Sequence, residues 1–209
     1  MSLFITFEGG EGCGKSTQSR LLYRRLHNLA IPVILVHEPG VTPVGKKIAR
    51  LLKWSQNLQI SPIAELLLFN VSRAQLVTEV IRPELEKETI VICDRFADST
   101  TAYQGYGRGL DLRTVATANK IGTQGLIPDL TILMDIPVKT GLSRKKEKKS
   151  DRFETEELSF HQRVRKGYLE LANKEPKRWL VIDATKVKDE IVGIIWQRVG
   201  QLLPGKRGV

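Results

Sequence analysis

The 209-residue sequence predicts a single α/β domain, a five-stranded parallel sheet with helices on both faces. Three observations predict it. Short apolar runs alternate with longer stretches of helical period along the whole chain, the order expected when crossover helices join parallel strands. Those runs are apolar at consecutive positions, as in strands covered on both faces. The first run opens into a glycine-rich turn and then a helix, a unit with chemistry of its own. The length suits one substantial core and is short for two domains, and no repeat or low-complexity linker divides it.

The first strand is expected at 3–7. Gly9 to Ser16 then fits G-x-x-x-x-G-K-S/T, and a helix follows over 14–29 with Leu21, Leu22, Leu26 and Leu29 at helical spacing. This is the context in which the pattern makes a phosphate-binding loop. Glycines let successive N–H groups turn inward towards a polyphosphate, and the helix start adds unpaired donors and a positive dipole. Lys15 is expected to reach the β- and γ-phosphates, and the Ser16 hydroxyl to ligate Mg²⁺. Gly9, Gly10, Glu11, Gly12, Cys13, Gly14, Lys15, Ser16 and Thr17 are therefore the candidate nucleotide cradle.

A second strand at 33–36 leads into the loop Glu38-Pro39-Gly40-Val41-Thr42 and a helix over 44–52, with a polar connection at 54–61. One long helix is expected over 62–86. The third strand, 89–93, ends in Asp94-Arg95-Phe96. The stretch 99–109, rich in hydroxyls and glycine, reads as loop and turn. A helix at 112–122, a fourth strand at 130–134 followed by Asp135, and a basic helical segment at 138–148 come next. A helix over 154–173, a fifth strand at 179–182 and a last helix over 187–203 complete the domain, with a frayed tail at 204–209. In such sheets ligands bind at the carboxyl ends of the strands, where the phosphate loop, Glu38, Asp94, Arg95 and Asp135 collect.

Hydrophobic residues make up 41% of the chain and the formal net charge is +10, pointing to anionic partners, either nucleotides or nucleic acid. The chain enters its first strand with no room for a signal peptide, and no apolar run has membrane-spanning length. Two cysteines, Cys13 and Cys93, suggest neither a disulfide framework nor a zinc site, so a reducing cytoplasm is expected.

Three further features bear on chemistry. Asp94 closing a buried strand suits a carboxylate that holds or orients the metal, and Arg95 beside it suits a bidentate grip on a second phosphate. Taken alone, a salt-bridged loop accounts for them equally well. Phe69 and Arg73 share a helix face at i, i+4, so a ring and a guanidinium could meet a base, although core packing is the simpler account of Phe69. The run from Arg144 to Arg152 is by default a solvated face, but in a phosphoryl-transfer enzyme it could close over ATP and supply charge.

Together these residues resemble the bacterial thymidylate kinase family over nearly the whole chain. Residues 7–17 are similar to its phosphate loop, with an acid at Glu11. Glu38 to Thr42 resembles its E-P-G-G-T loop, although His37 stands for the usual arginine before it and Val41 for the second glycine. Leu68-Phe69 with Arg73 and Gln75 resembles L-F-x-x-x-R-x-Q. Asp94-Arg95-Phe96 followed by Ser99, Ala102, Tyr103, Gln104 and Gly105 resembles D-R-F/Y and S-x-x-A-Y-Q-G. Pro128-Asp129-Leu130 to Asp135, then Asp151-Arg152-Phe153-Glu154 and Asp183-Ala184-Thr185, complete the set.

The resemblance implies a phosphate-loop nucleoside-triphosphatase fold and ATP-dependent phosphorylation of dTMP to dTDP with Mg²⁺, by a homodimer that binds neither nucleic acid nor membrane. It implies that Lys15 and Ser16 hold ATP phosphates and metal, that Asp94 lies near the metal, and that Thr185 borders adenine. For the acceptor it implies Glu11 at the sugar 3′-hydroxyl, Glu38 and Pro39 in the binding loop, Phe69 on thymine and Arg73 at the base edge. Arg95 would take the acceptor phosphate. Ser99, Thr100 and Gln104 would line the base pocket, and Tyr103 would sit where a ribose 2′-hydroxyl falls. The loop offers no basic residue at 11–13, so the catalytic arginines expected are Arg144 and Arg152, in a mobile lid at about 139–152.

Competing readings are fewer. A regulatory GTPase needs N-K-x-D, but Asn119-Lys120-Ile121-Gly122 lacks the aspartate and falls inside a predicted helix. A nucleic-acid-dependent ATPase would suit the charge, yet the basic residues lack interleaved aromatics. A kinase for another nucleoside or its monophosphate remains open on the residues alone.

Overall fold

The computed structural model describes residues 2–54, 58–144 and 151–203. Five parallel strands form one sheet in the order β2-β3-β1-β4-β5: β1 (Leu3–Glu8), β2 (Val33–His37), β3 (Ile90–Asp94), β4 (Leu130–Asp135) and β5 (Trp179–Asp183). The central strands β1, β3 and β4 are buried almost throughout, while the edge strands β2 and β5 are partly open. The apolar runs of the sequence are thus the strands. Their register aligns the carboxyl ends, pairing Phe7 with Asp94, His37 with Asp94, Glu8 with Leu133 and Asp135 with Asp183. One edge of the sheet therefore carries the loops that follow β1, β2 and β3.

The helices are α1 (Lys15–Asn28), α2 (Pro43–Trp54), α3 (Pro62–Leu76), α4 (Arg82–Glu86), α5 (Ala97–Thr100), α6 (Leu112–Thr123), α7 (Val138–Ser143), α8 (Leu158–Lys174) and α9 (Lys188–Gly200). Ser61 caps α3 and Asp111 caps α6, each accepting from the backbone N–H three residues on. Thr42 does the same for Gly45, with Pro43 at the first helical position of α2.

Several boundaries differ from expectation, each for a local reason. The helix expected over 62–86 is interrupted by a π-helical turn at Val77–Ile81. Pro83 lacks an N–H and crowds the carbonyl four residues back, and the widened turn accommodates it. Most of the stretch expected as loop and turn, 99–109, is helical: α5 runs into a π-helical segment at Thr101–Gly107, and only Arg108 and Gly109 form the turn. Gly105 and Gly107 there are packing devices, while Gly109, at φ 76° with open space around it, is a turn glycine as expected. A Cβ on Gly107 would lie 2.6 Å from the Phe160 ring on α8, and one on Gly105 would lie 2.7 Å from Leu112. The helix expected from 154 begins at Leu158, because the Asp151 carboxylate accepts from the backbone N–H of Phe153 and Glu154 and holds a turn there. The helix expected over 138–148 is α7; residues 145–150, part of the predicted basic lid, lie outside the described residues, as do 55–57 and the tail 204–209.

Candidate active site

The phosphate loop leaves β1 through Gly9, Gly12 and Gly14, at φ 140°, 66° and 92°. Gly14 caps α1 in the left-handed region, a conformation costly for any residue with a Cβ. Lys15 is buried, and its Nζ donates to Gly9 O (2.9 Å) and Gly10 O (2.7 Å) and approaches Cys13 Sγ at 3.4 Å. Gly12 has a second duty. A Cβ there would stand 1.9 Å from Gly141 O, and one on Gly141 would stand 2.3 Å from Glu11 O. The loop and α7 thus meet backbone to backbone.

Across the loop mouth, Ser16 Oγ donates to Asp94 Oδ2 at 2.5 Å. A hydroxyl and a carboxylate converging on one point form a hard-oxygen set that suits Mg²⁺, which commonly takes one or two protein oxygens and completes its shell with phosphates and water. The residues present fit that ion. No cluster of three or more His, Cys, Asp or Glu side chains suited to a metal occurs among the described residues.

Arg95 follows directly, at φ 74°. Its Nη2 donates to Glu11 Oε1 (2.7 Å) and Tyr103 OH (3.1 Å), its Nη1 to Gly9 O (3.2 Å), Ser99 Oγ (3.2 Å) and Tyr168 OH (3.3 Å). Tyr103 OH also donates to Glu11 Oε1, at 2.7 Å. Beneath this cluster lies Glu8, which the sequence reading passed over. It is fully buried and accepts from Phe96 N, Ser99 Oγ and Tyr168 OH, so it braces the backbone that turns at Arg95. Burial, with the Asp98 charge nearby, raises Glu8 to about 7 against the opposing Ser99 hydrogen bond.

Beyond Arg95 the site is a cavity of about 760 Å³. Phe69 lines it, its ring 5.7 Å from that of Phe153. Arg73 lines it too, but its guanidinium is fully engaged. Nε donates to Glu38 (2.8 Å), Nη1 to Asn70 and Asn119 (3.1 Å each), and Nη2 to Phe96 O (3.2 Å) and Thr100 Oγ1 (2.8 Å). Burial raises Glu38 to about 7 even against the charge and hydrogen bond of Arg73. The Glu38–Pro39 peptide is cis, and Gly40 takes φ 124° while Val41 stays outside the left-handed region. The loop therefore turns on one glycine, and the valine costs it nothing. His37 lines the cavity, its pKa held below the usual value by burial and the Lys53 charge.

Of the predicted residues, the structure gathers Glu11, Gly12, Cys13, Gly14, Lys15, Ser16, Thr17, Glu38, Pro39, Phe69, Arg73, Asp94, Arg95, Ser99, Thr100, Tyr103, Gln104 and Arg144 around this one cavity. Gly9 and Gly10, at the start of the loop, are off the lining and offer carbonyls to Lys15. Arg144 ends α7 and donates to Ala184 O at 3.3 Å. Two further candidates lie apart from the lining. Arg152 is ion-paired to Glu65 on α3, and Thr185 bonds back to Asp183 through its N–H and hydroxyl. Asp135 is likewise withdrawn, gripped in two-point fashion by Arg165 on α8. The residues missed are Glu8, Glu65, Asn119 and Tyr168. Only Glu8, inside the phosphate-loop stretch, had a local signal that pointed to its actual place. Cys13 and Cys93 are buried free thiols. Among the described residues, no helix is long and apolar enough to cross a membrane.

Comparison with known proteins agrees with this geometry. The family model described as thymidylate kinase matches residues 7–195. The chain is 57% identical to the thymidylate kinase of Dehalococcoides mccartyi (strain CBDB1), over 97% of this chain and 98% of that one. It is 50% identical to that of Roseiflexus sp. (strain RS-1), over 88% and 87% respectively. Its backbone is similar to the crystal structure of thymidylate kinase from Ehrlichia chaffeensis, with a TM-score of 0.76 and 35% identity over 95% of this chain and 98% of that one. The parallel sheet, the phosphate loop and the expected relationship therefore agree: this chain belongs to the thymidylate kinase family.

Proposed function

We propose a division of labour for the reaction this chain catalyses, the ATP-dependent phosphorylation of dTMP to dTDP. The phosphate loop holds ATP, and the cavity bounded by Phe69, Arg73, Tyr103 and Gln104 holds dTMP. The observation that carries this reading is the Glu11–Arg95–Tyr103 cluster, which stands in the same cavity as both the phosphate loop and Phe69. An acceptor whose phosphate meets Arg95 has its base on the Phe69 side and its reacting oxygen towards Lys15.

A nucleoside monophosphate has a second pKa near 6, so its oxygen is already anionic near neutrality and needs no general base. What the site must overcome is repulsion between two phosphates. A nonbridging oxygen of the acceptor attacks the γ-phosphorus of ATP, the bond from that phosphorus to the β,γ-bridging oxygen breaks, and ADP leaves. Lys15 exchanges its carbonyl partners for phosphate oxygens. Arg95 fixes the acceptor phosphate by a fork of donors. Arg144, at the α7 end, supplies charge where it develops on the transferring group. Ser16 and Asp94 would hold Mg²⁺, which supplies charge neutralisation at the ATP phosphates. Tyr103, with its hydroxyl tied to Glu11 and Arg95, disfavours a 2′-hydroxyl. A coupled assay across dTMP, dUMP, dCMP, dGMP and thymidine tests the reading; equal turnover of all five would overturn it.

The assembly is a homodimer in the cytoplasm. Supporting this, Ile63, Leu67 and Val71 line one face of α3 at i, i+4, i+8 while being 46%, 53% and 50% exposed. Sedimentation of wild type beside Leu67→Glu/Val71→Glu tests it; a monomeric wild type would end this reading.

A further inference from the structure

Glu65, Phe69 and Arg73 follow one another at i, i+4, i+8 on the inner face of α3. The second and third border the cavity directly. Glu65 acts one step behind. It is 1% exposed, yet its carboxylate collects donors from three side chains. Gln104 Nε2 donates to Oε1 at 2.7 Å, Arg108 donates through Nε at 3.1 Å and Nη2 at 3.2 Å, and Arg152 Nη2 closes on Oε2. Arg108 is shared in turn with Glu156, at 2.6 Å.

The chemistry of a carboxylate then dictates how Gln104 lies. With two guanidinium groups upon it, Glu65 is an acceptor only, so the amide nitrogen of Gln104 must face it. The amide oxygen is thereby turned the other way. Gln104 is itself 1% exposed and lines the cavity, and among the described residues no donor reaches its Oε1. A side-chain amide is ordinarily free to present either a donor or an acceptor. Here the choice is made by Glu65.

We propose that Glu65 is a positioning residue that sets base preference by aiming the Gln104 carbonyl at a ring N–H of the acceptor base. This rests on the dTMP reading above. The N3 of thymine carries a hydrogen and meets an acceptor. The N3 of cytosine carries a lone pair and meets repulsion. Arg108 and Arg152 brace the carboxylate in the position that achieves this, which gives Arg152 a role at the acceptor pocket rather than at the γ-phosphate.

The test is kcat/KM for dTMP and for dCMP with ATP, in the full chain and in Glu65→Gln, Gln104→Met and the double variant. An amide at 65 donates as well as accepts, so Gln104 loses its fixed orientation. Sites built around a buried hydrogen bond discriminate strongly because a mismatched group is left unpaired. The preference for dTMP over dCMP should fall on the order of tenfold to a hundredfold in Glu65→Gln. The double variant should fall no further than Gln104→Met, since one residue acts through the other. A merely structural Glu65 would lower the melting temperature and both kcat/KM values together, leaving their ratio intact. That result, or losses that add in the double variant, overturns the proposal. Should Glu65→Gln fail to fold, Glu65→Asp keeps the charge for both arginines and withdraws it from Gln104. The same loss of preference is expected there, and wild-type preference in that variant is equally fatal. A wild-type chain that does not turn over dTMP sinks the substrate reading, whereas wild-type turnover with unchanged preference in the variants sinks the role of Glu65 alone.

Discussion

Arg73→Met removes a buried cation while keeping most of its bulk, and the structure says what is left behind. Five acceptors each lose a hydrogen bond, and one of them is a carboxylate, Glu38, that is itself buried. Removing one member of a buried ion pair typically costs about 3–5 kcal/mol. Glu38 has an escape, because burial has already raised it to about 7 and protonation discharges it. Its folded pKa lies above the unfolded value near 4.5, so the stability it contributes is present below that value and is lost as pH rises through about 7. Without Arg73 the opposing influence of the cation disappears and the folded pKa climbs further. The variant then stays protonated where the wild type has ionised, and the gap between them widens with pH by up to about 1.4 kcal/mol per unit. The expected deficit is about 3 kcal/mol near pH 7, growing towards about 5 kcal/mol at pH 9. Urea unfolding followed by tryptophan fluorescence at pH 6, 7.5 and 9 measures it. The double variant Arg73→Met/Glu38→Gln should lose the pH dependence. A deficit constant across that range would refute the reasoning, since Glu38 would then carry no charge that Arg73 answers.

Three other outcomes follow from the site. Lys15→Ala should lose turnover with ATP by a factor of at least about 10³ while circular dichroism stays native, because its hydrogen bonds go to the loop itself. Near-normal turnover would remove the phosphate-loop assignment. Gly141→Ala forces a Cβ to within 2.3 Å of Glu11 O, so α7 must separate from the phosphate loop, and KM for ATP should rise on the order of tenfold. Unchanged kinetics would mean that the two backbones part without cost. Arg144→Lys should lower single-turnover rates by about 10²-fold or more with little change in KM for ATP, since lysine lacks the planar fork, whereas Arg152→Lys should act chiefly on dTMP. Equal effects of the two would contradict the separation seen here.

The strands and the phosphate loop were legible because their signals are local: consecutive apolar residues, then glycines at fixed offsets. Phe69 and Arg73 were legible as a face because helical spacing is local too. The stretch 99–109 was misread because glycine serves two physical ends. In a turn it supplies conformational freedom, and at Gly105 and Gly107 it supplies room for Leu112 and Phe160, a requirement set by other elements. Tyr168 was invisible for a kindred reason: its bond to Glu8 joins positions 160 apart. Asn119 matched part of a guanine-reading pattern, but its actual duty, holding Arg73, is decided 46 positions away. Val41 stands where the family has a second glycine, yet the turn needed a positive φ only at Gly40.

How the site distributes charge bears on how it works. In the proposed division of labour, the cations on the acceptor side are matched by carboxylates: Arg95 by Glu11, Arg73 by Glu38, and, behind the cavity lining, Arg108 and Arg152 by Glu65. Lys15 and Arg144, on the proposed donor side, are matched by carbonyls: Lys15 by Gly9 and Gly10, Arg144 by Ala184. A carbonyl dipole yields readily to a phosphate, whereas a buried carboxylate does not. The donor side is therefore poised to attract and neutralise a polyphosphate, consistent with the net charge of +10. On the acceptor side the attraction is largely spent within the protein, and what remains is direction: fixed donors and acceptors that reward one shape of base and sugar. Binding energy at the two ends thus has different origins. Raising ionic strength should weaken ATP binding more than dTMP binding, because the exposed Arg144 meets no carboxylate among the described residues and exposed charge is what salt screens.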